Sequence, residues 1–181
     1  MPYDLYTSPG HLVRRVQQIA NALFTEEVAD GELTPPQFAL LVALHRSPGA
    51  DQISLSREVG IDRSTVADVV GRLRARGLVS RSRDARDARR NTVRLTPQGN
   101  TLVEQLAPAV LNAQERLLVP LDDAERAELL RLLTKVVIAH DPPFEELLPG
   151  GRFDGQPPAA QSTAQSTAQS TAQSTAAEAE A

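Results

Sequence analysis

The side chains most capable of specific polar chemistry fall in one short stretch. Arg63, Ser64, Thr65, Ala67, Asp68, Gly71 and Arg72 recur at intervals that place them on one side of a helix, with Val66, Val69, Val70 and Leu73 opposite. Small and hydrogen-bonding groups at the first turn suit insertion into a major groove, where base edges offer donors and acceptors and a bulky apolar group would obstruct docking. Arg63, Ser64 and Thr65 are therefore the candidates for reading bases, and Asp68 and Arg72 extend the same face. Asp62 and Asp68 weaken the pull of the helix N-terminus on phosphate, so the positioning charge has to come from the arginines.

A second cluster follows. Arg86, Arg89 and Arg90 alternate with Asp84 and Asp87 in a segment that has no apolar residue larger than alanine. Such a charge run also suits an ordinary solvated loop. Asp87 can orient Arg89 toward a minor groove through a charge-assisted hydrogen bond. From Ile53 to Thr96 there are eleven Arg against five Asp or Glu, a local charge of +6, so the remainder of this −4 chain carries −10. The overall charge argues against a nucleic-acid partner, but its distribution argues for one, because phosphate contacts require local cations.

The elements around these clusters read as mainly α with a small β-hairpin. A helix is expected from about His11 to Ala29, its buried stripe built from Leu12, Val16, Ile19, Ala20 and Leu23. Thr34 and Gln37 form a capping box for a second helix, with Pro35 at its first position and Phe38, Leu41, Val42 and Leu44 inward. Ser54 to Val59 and Arg63 to Arg76 are two helices joined by Gly60-Ile61-Asp62. There Gly60 ends the first, Ile61 fills the angle and Asp62 caps the second, which is a helix-turn-helix signature. After Gly77 the pattern alternates, giving strands Leu78 to Arg81 and Thr92 to Leu95 with the arginine-rich loop as the hairpin tip. Thr96-Pro97 opens a long helix through Leu102, Leu106, Ala109, Val110, Ala113 and Leu117, in which Pro108 is a candidate kink. Asp122 and Glu125 cap a last helix through Leu129, Leu132, Leu133, Val136 and Val137.

Residues 1–148 thus read as one domain, with 149–181 a low-complexity tail containing four Gln-Ser-Thr-Ala copies and expected to be disordered. The absence of cysteine rules out thiol chemistry, and no glycine-rich phosphate loop, nucleophile elbow or Ser-His-acid arrangement points to an enzyme. His11, His45 and His140 are scattered without an acidic partner set, so neither a metal nor a cofactor is implied. Without a signal or membrane-length apolar run, the expected location is the cytoplasm. A winged helix used only to bind protein is the alternative class, and it would not need this positive charge.

Several segments in order and spacing resemble the MarR family of bacterial regulators, named for multiple antibiotic resistance. They are Leu33-Thr34-Pro35-Pro36-Gln37-Phe38, Ile61-Asp62-Arg63-Ser64-Thr65-Val66, Arg76-Gly77-Leu78-Val79, Asp87-Ala88-Arg89 and Val93-Arg94-Leu95-Thr96-Pro97-Gln98-Gly99. The resemblance covers about residues 10–140. It implies a homodimer whose dimerisation helices, at about 10–30 and 97–147, interlock into a platform. That platform would present two winged helices, at about 34–98, to a pseudo-palindromic operator in double-stranded DNA. Arg63, Ser64 and Thr65 would read the major groove, and Arg89, supported by Asp87, would enter the minor groove. The family often has a second arginine where this chain has Ala88, so the wing contact either rests on Arg89 alone or borrows Arg86 or Arg90. The resemblance also implies a repressor released by a small aromatic acid or phenol bound between platform and winged helix. His11, Arg14 and Arg15 are the candidate ligand residues, His11 and Arg15 sharing a face; a solvated basic helix end or dimer-interface pairing is the simpler account of them.

Overall fold

Side-chain caps set where most of the helices begin. The computed structural model describes residues 4–28, 33–83 and 91–156. Its elements run α1 (Pro9–Glu27), α2 (Pro35–Arg46), α3 (Gln52–Val59), α4 (Arg63–Ala75), β1 (Val79–Arg83), β2 (Asn91–Leu95), α5 (Pro97–Leu118), α6 (Asp123–His140) and a 3-10 segment, Pro142–Leu147. The strands pair antiparallel in a register running from Val79 opposite Leu95 to Arg83 opposite Asn91. Mainly α with one hairpin is the class the sequence indicates.

The expected caps are in place. The Thr34 N–H donates to Gln37 Oε1 at 3.0 Å, Gly99 N–H to Thr96 Oγ1 at 3.1 Å and Glu125 N–H to Asp122 Oδ1 at 2.9 Å. Two starts differ from expectation. α1 begins at Pro9 rather than His11, and α3 begins at Gln52 rather than Ser54, because the Asp51 carboxylate accepts from Ile53 N–H and Ser54 N–H and so caps an earlier turn. The expected end of α1 at Ala29 lies outside the described residues. Pro108 sits inside α5, which continues through it.

The core gathers where α2, α3, α4 and β2 meet. Leu40, Leu41, Leu44, Leu55, Val66, Leu73 and Val93 are fully buried, each contributing on the order of 1.5–3 kcal/mol of transfer free energy. α2 buries Leu40 and Ala43 as well as the expected Phe38, Leu41 and Leu44, because α3, α5 and β2 pack on it from different sides. The α2–α3 loop pairs with β2 through Gly49 N–H to Val93 O at 3.1 Å and Val93 N–H to Ala50 O at 3.0 Å, widening the hairpin's base.

The stripe of α1 departs from expectation. Leu12, Val16 and Ile19 are each about half exposed, at 49%, 48% and 49%, and only Phe24 and Val28 at the far end enter the core. α1 packs against α5, and Arg116 ties the two together by donating to Glu27 Oε1 at 2.5 Å and Glu26 Oε2 at 2.8 Å. Hydrogen bonds from Asn112 and then Arg116 hold the Glu27 carboxyl below its ordinary range. α6 likewise leaves Leu132, Leu133, Val136 and Val137 exposed. It reaches the winged helix through the 3-10 segment, which packs on α3 and whose Leu147 carbonyl accepts from Arg46 Nη2 at 3.1 Å. Beyond it, Phe153 N–H donates back to Glu145 Oε1 at 2.8 Å; residues 157–181 of the expected tail lie outside the described residues. Among the described residues no helix is long and apolar enough to cross a membrane.

One joint connects α4, the hairpin and α5. Thr96 Oγ1 donates to Gly77 O at 2.7 Å and Leu78 O at 3.2 Å, and Thr96 N–H donates to Leu78 O at 3.0 Å. Gly99 is buried against it, and a Cβ there would stand 2.1 Å from the Leu78 carbonyl oxygen. Gly99→Ala is therefore expected to lower unfolding stability by about 1–3 kcal/mol through backbone displacement. Urea denaturation checks this, and an unchanged midpoint would contradict the close approach.

Candidate nucleic-acid interface

The turn between α3 and α4 is built from three consecutive residues with separate tasks. Gly60 adopts φ +70°, the left-handed conformation that ends α3, and its N–H donates to Ser56 O at 3.0 Å. Ser56 Oγ donates to Ile61 O at 2.6 Å, and the Ile61 side chain packs half-buried against the core. Asp62 then starts α4, its carboxylate accepting from Thr65 N–H at 2.9 Å. The inward side of α4, Val66, Val69, Val70 and Leu73, is buried as expected.

The opposite side faces out. Arg63, Ser64, Asp68 and Arg72 are exposed and Thr65 is half-buried, so the structure brings these five candidates together on one accessible helix face. The sequence did not reveal how closely the first turn is organised around Asp62. Ser64 Oγ donates to Asp62 Oδ1, and Thr65 Oγ1 donates to Oδ2 at 2.6 Å. Those bonds, Ser64 first and Thr65 next, hold the Asp62 carboxyl well below the usual carboxylate range.

The base of the hairpin continues from this helix. β1 follows α4 closely and packs against it, and β2 is held to the α2–α3 loop by the pairing around Gly49. Arg94 lies over that loop, its Nη2 only 2.8 Å from where a Gly49 Cβ would stand. Buried Thr92 Oγ1 shares a hydrogen bond with Ser82 Oγ at 3.1 Å across the strands. Arg86, Asp87, Arg89 and Arg90 fall outside the described residues, between the strand ends.

The candidate ligand residues lie elsewhere. His11, Arg14 and Arg15 occupy the first two turns of α1, with His11 set edge-on to Tyr6 at 6.3 Å between ring centres. A cleft of about 520 Å³ lies between the α2–α3 loop, α3 and the 3-10 segment. A second, of about 430 Å³, lies beside Arg76, Gln98, Thr101 and Gln105. Neither is lined by the α1 candidates. His45 Nδ1 sits 3.3 Å from Asn100 Oδ1, a contact between α2 and α5.

A helix-turn-helix whose second helix presents a polar face and runs directly into a two-stranded hairpin defines a winged helix-turn-helix protein. Comparison with known proteins narrows this. Residues 33–90 match the MarR family. The chain is 35% identical over 136 residues to the HTH-type transcriptional repressor NicR of Pseudomonas putida, covering 75% of this chain and 86% of that one. It is 41% identical to the PcaV transcriptional regulator of Streptomyces coelicolor, solved in complex with its natural ligand, with a TM-score of 0.72 over 77% of this chain and 99% of that one. BpsR of Bordetella bronchiseptica, whose DNA binding is regulated by 6-hydroxynicotinic acid, is 35% identical with a TM-score of 0.72, covering 75% and 97%. The chain belongs to the MarR family of transcriptional regulators.

The cap has a pH consequence. Because the folded-state carboxyl of Asp62 lies below its ordinary value of 3.8, its contribution to stability is present above that value and is lost as pH falls through and below it. Asp62→Asn should therefore cost more stability near about pH 7 than near about pH 3. Urea midpoints of both proteins at the two pH values check this, and a gap independent of pH would contradict the ionised cap.

Proposed function

We propose that the protein is a homodimeric, sequence-specific DNA-binding repressor, released from its operator by a small aromatic acid or phenol. The observation that carries this reading is the accessible Arg63-Ser64-Thr65 turn, on a helix whose opposite side is buried, between a helix-turn-helix joint and a hairpin, in a stretch that holds +6 in a −4 chain. In this reading Arg63, Ser64 and Thr65 contact base edges, and Asp68 and Arg72 extend that contact along the groove. Arg86, Arg89 and Arg90 approach the minor groove and backbone, with Asp87 orienting Arg89. The DNA-binding part spans about 34–98 and the dimerisation helices about 10–30 and 97–147, with the working location in the cytoplasm.

The apolar faces that one chain leaves open support the dimer. Leu12, Val16 and Ile19 on α1 and Leu132, Leu133, Val136 and Val137 on α6 are large apolar side chains left exposed in one chain, and a second copy covers them by symmetry. Ligand release rests on BpsR and PcaV, each associated with a small molecule. His11, Arg14 and Arg15 supply cationic groups for a carboxylate at the start of α1.

Salt titration of duplex affinity tests the reading. Log affinity should fall by ~0.9 per phosphate neutralised for each unit of log salt, and a flat response would remove the DNA partner. Arg89→Ala should weaken binding to all duplexes, whereas Ser64→Ala or Thr65→Val should change which sequence is preferred. Equal loss from both classes, with no change of preference, would refute the assignment. Val136→Glu should convert the dimer to single chains in light scattering and abolish tight operator binding; a dimer that persists would place the interface elsewhere. A bound aromatic acid at about 100 times its Kd should add about 2.7 kcal/mol of stability in thermal-shift measurements and displace operator in parallel.

A further inference from the structure

Around Asp62 the direction of each hydrogen bond follows from chemistry. An ionised carboxylate has no proton to give and can only accept. Ser64 Oγ meets Asp62 Oδ1, and Thr65 Oγ1 meets Oδ2 at 2.6 Å, so in both contacts the hydroxyl is the donor. Each hydroxyl has one hydrogen, and both hydrogens point at Asp62. What Ser64 and Thr65 retain for a ligand is lone pairs alone. The Thr65 N–H, donating to Oδ1 at 2.9 Å, holds the carboxylate in the orientation that captures both.

We infer that Asp62, without touching DNA, sets the hydrogen-bond polarity of the reading turn. Ser64 and Thr65 accept from the exocyclic amines of adenine or cytosine and discriminate against the keto oxygens of guanine and thymine. The inference rests on the proposed placement of this turn in the major groove. A serine or threonine hydroxyl that can rotate freely serves either edge. With Asp62 present, turning its hydrogen toward guanine O6 or thymine O4 strips the carboxylate of a donor where neighbouring groups are being desolvated. Every base pair carries one amine and one keto group in the major groove, so the polarity selects the orientation of the pair. Phosphate oxygens are also acceptors. The same constraint turns both hydroxyls away from the backbone and leaves phosphate to arginine. The hydrogen bonds from Ser64 and Thr65 also hold the Asp62 carboxyl well below its ordinary value, consistent with both hydroxyls donating to the ionised form.

The test uses the full-length protein and duplexes selected from a randomised pool. Ser64→Ala and Thr65→Val first identify the bases these residues read, as those where preference is lost. At those bases the unmodified protein should select adenine or cytosine. Replacing the contacted base with an analogue lacking its exocyclic amine should weaken binding by about three- to tenfold. Removing N7 from a contacted adenine should leave affinity within about twofold, as a lone pair on the hydroxyl does not use it. Asp62→Asn keeps a good helix cap but can donate through its amide, freeing a hydroxyl hydrogen. This variant should accept guanine or thymine at the same positions, narrowing the discrimination by about three- to tenfold with an unchanged salt slope. Guanine or thymine selected by the unmodified protein, or a preference identical in Asp62→Asn, would overturn the inference. If Asp62→Asn does not fold, the amine deletions on the unmodified protein decide alone. If neither Ser64→Ala nor Thr65→Val changes any base preference while binding stays salt-dependent, the groove placement itself fails, and the polarity with it.

Discussion

A reading helix is only as well placed as the joint that carries it, and here that joint is the contact among Thr96, Leu78 and Gly99. One threonine ends the hairpin, caps α5 and bonds to the two carbonyls that follow α4. The absence of a side chain at Gly99 lets the helix backbone come against Leu78 O, a distance that no Cβ would permit. α4, the hairpin and α5 therefore form one connected unit. In the proposed function, a shift of α5 is transmitted through this joint to the outward face of α4. Coupling of this kind needs only a ligand that prefers one of two arrangements, typically by ~1–3 kcal/mol.

A second connection runs through the C-terminal end. The 3-10 segment after α6 packs on α3, and Arg46 bonds to its Leu147 carbonyl. Near that contact the α2–α3 loop pairs with β2. α5 and α6 thus approach the winged helix from two sides, and α6, like α1, keeps an open apolar face. The layout separates labour. The core under α4 is closed within one chain, while the open apolar faces of α1 and α6 are the surface that the proposed dimer covers.

What could be read from the sequence follows from the range of the forces involved. Gly60, Asp62, Thr96 and the Thr34–Gln37 pair were legible because a cap or a left-handed turn is decided by residues within four positions of one another. The inward side of α4 was legible because Val66, Val69, Val70 and Leu73 meet the core of their own chain. The stripe of α1 was misjudged for the opposite reason. Periodicity shows that Leu12, Val16 and Ile19 share a side, but it carries no information on whether that side meets the same chain or another. The 3-10 segment was not distinguished within the expected helical stretch to about 147, because its docking depends on α3, far away in sequence. At the site, the spacing identified Asp62 as a cap, but the capture of both neighbouring hydroxyls required coordinates. The roles of Arg86, Asp87, Arg89 and Arg90 remain those that charge pattern and resemblance assign.

The central claim is that the outward face of α4 lies in a duplex groove, twice, at symmetric half-sites. Since the chain has no cysteine, Ala67→Cys on that exposed face provides a single thiol for attaching a DNA-cleaving reagent. With the selected duplex bound, the account predicts cuts confined to two short windows, their centres about one helical turn of 10–10.5 base pairs, or a multiple of it, apart. Cleavage spread evenly along the duplex, or none from a complex shown to be bound, would contradict it.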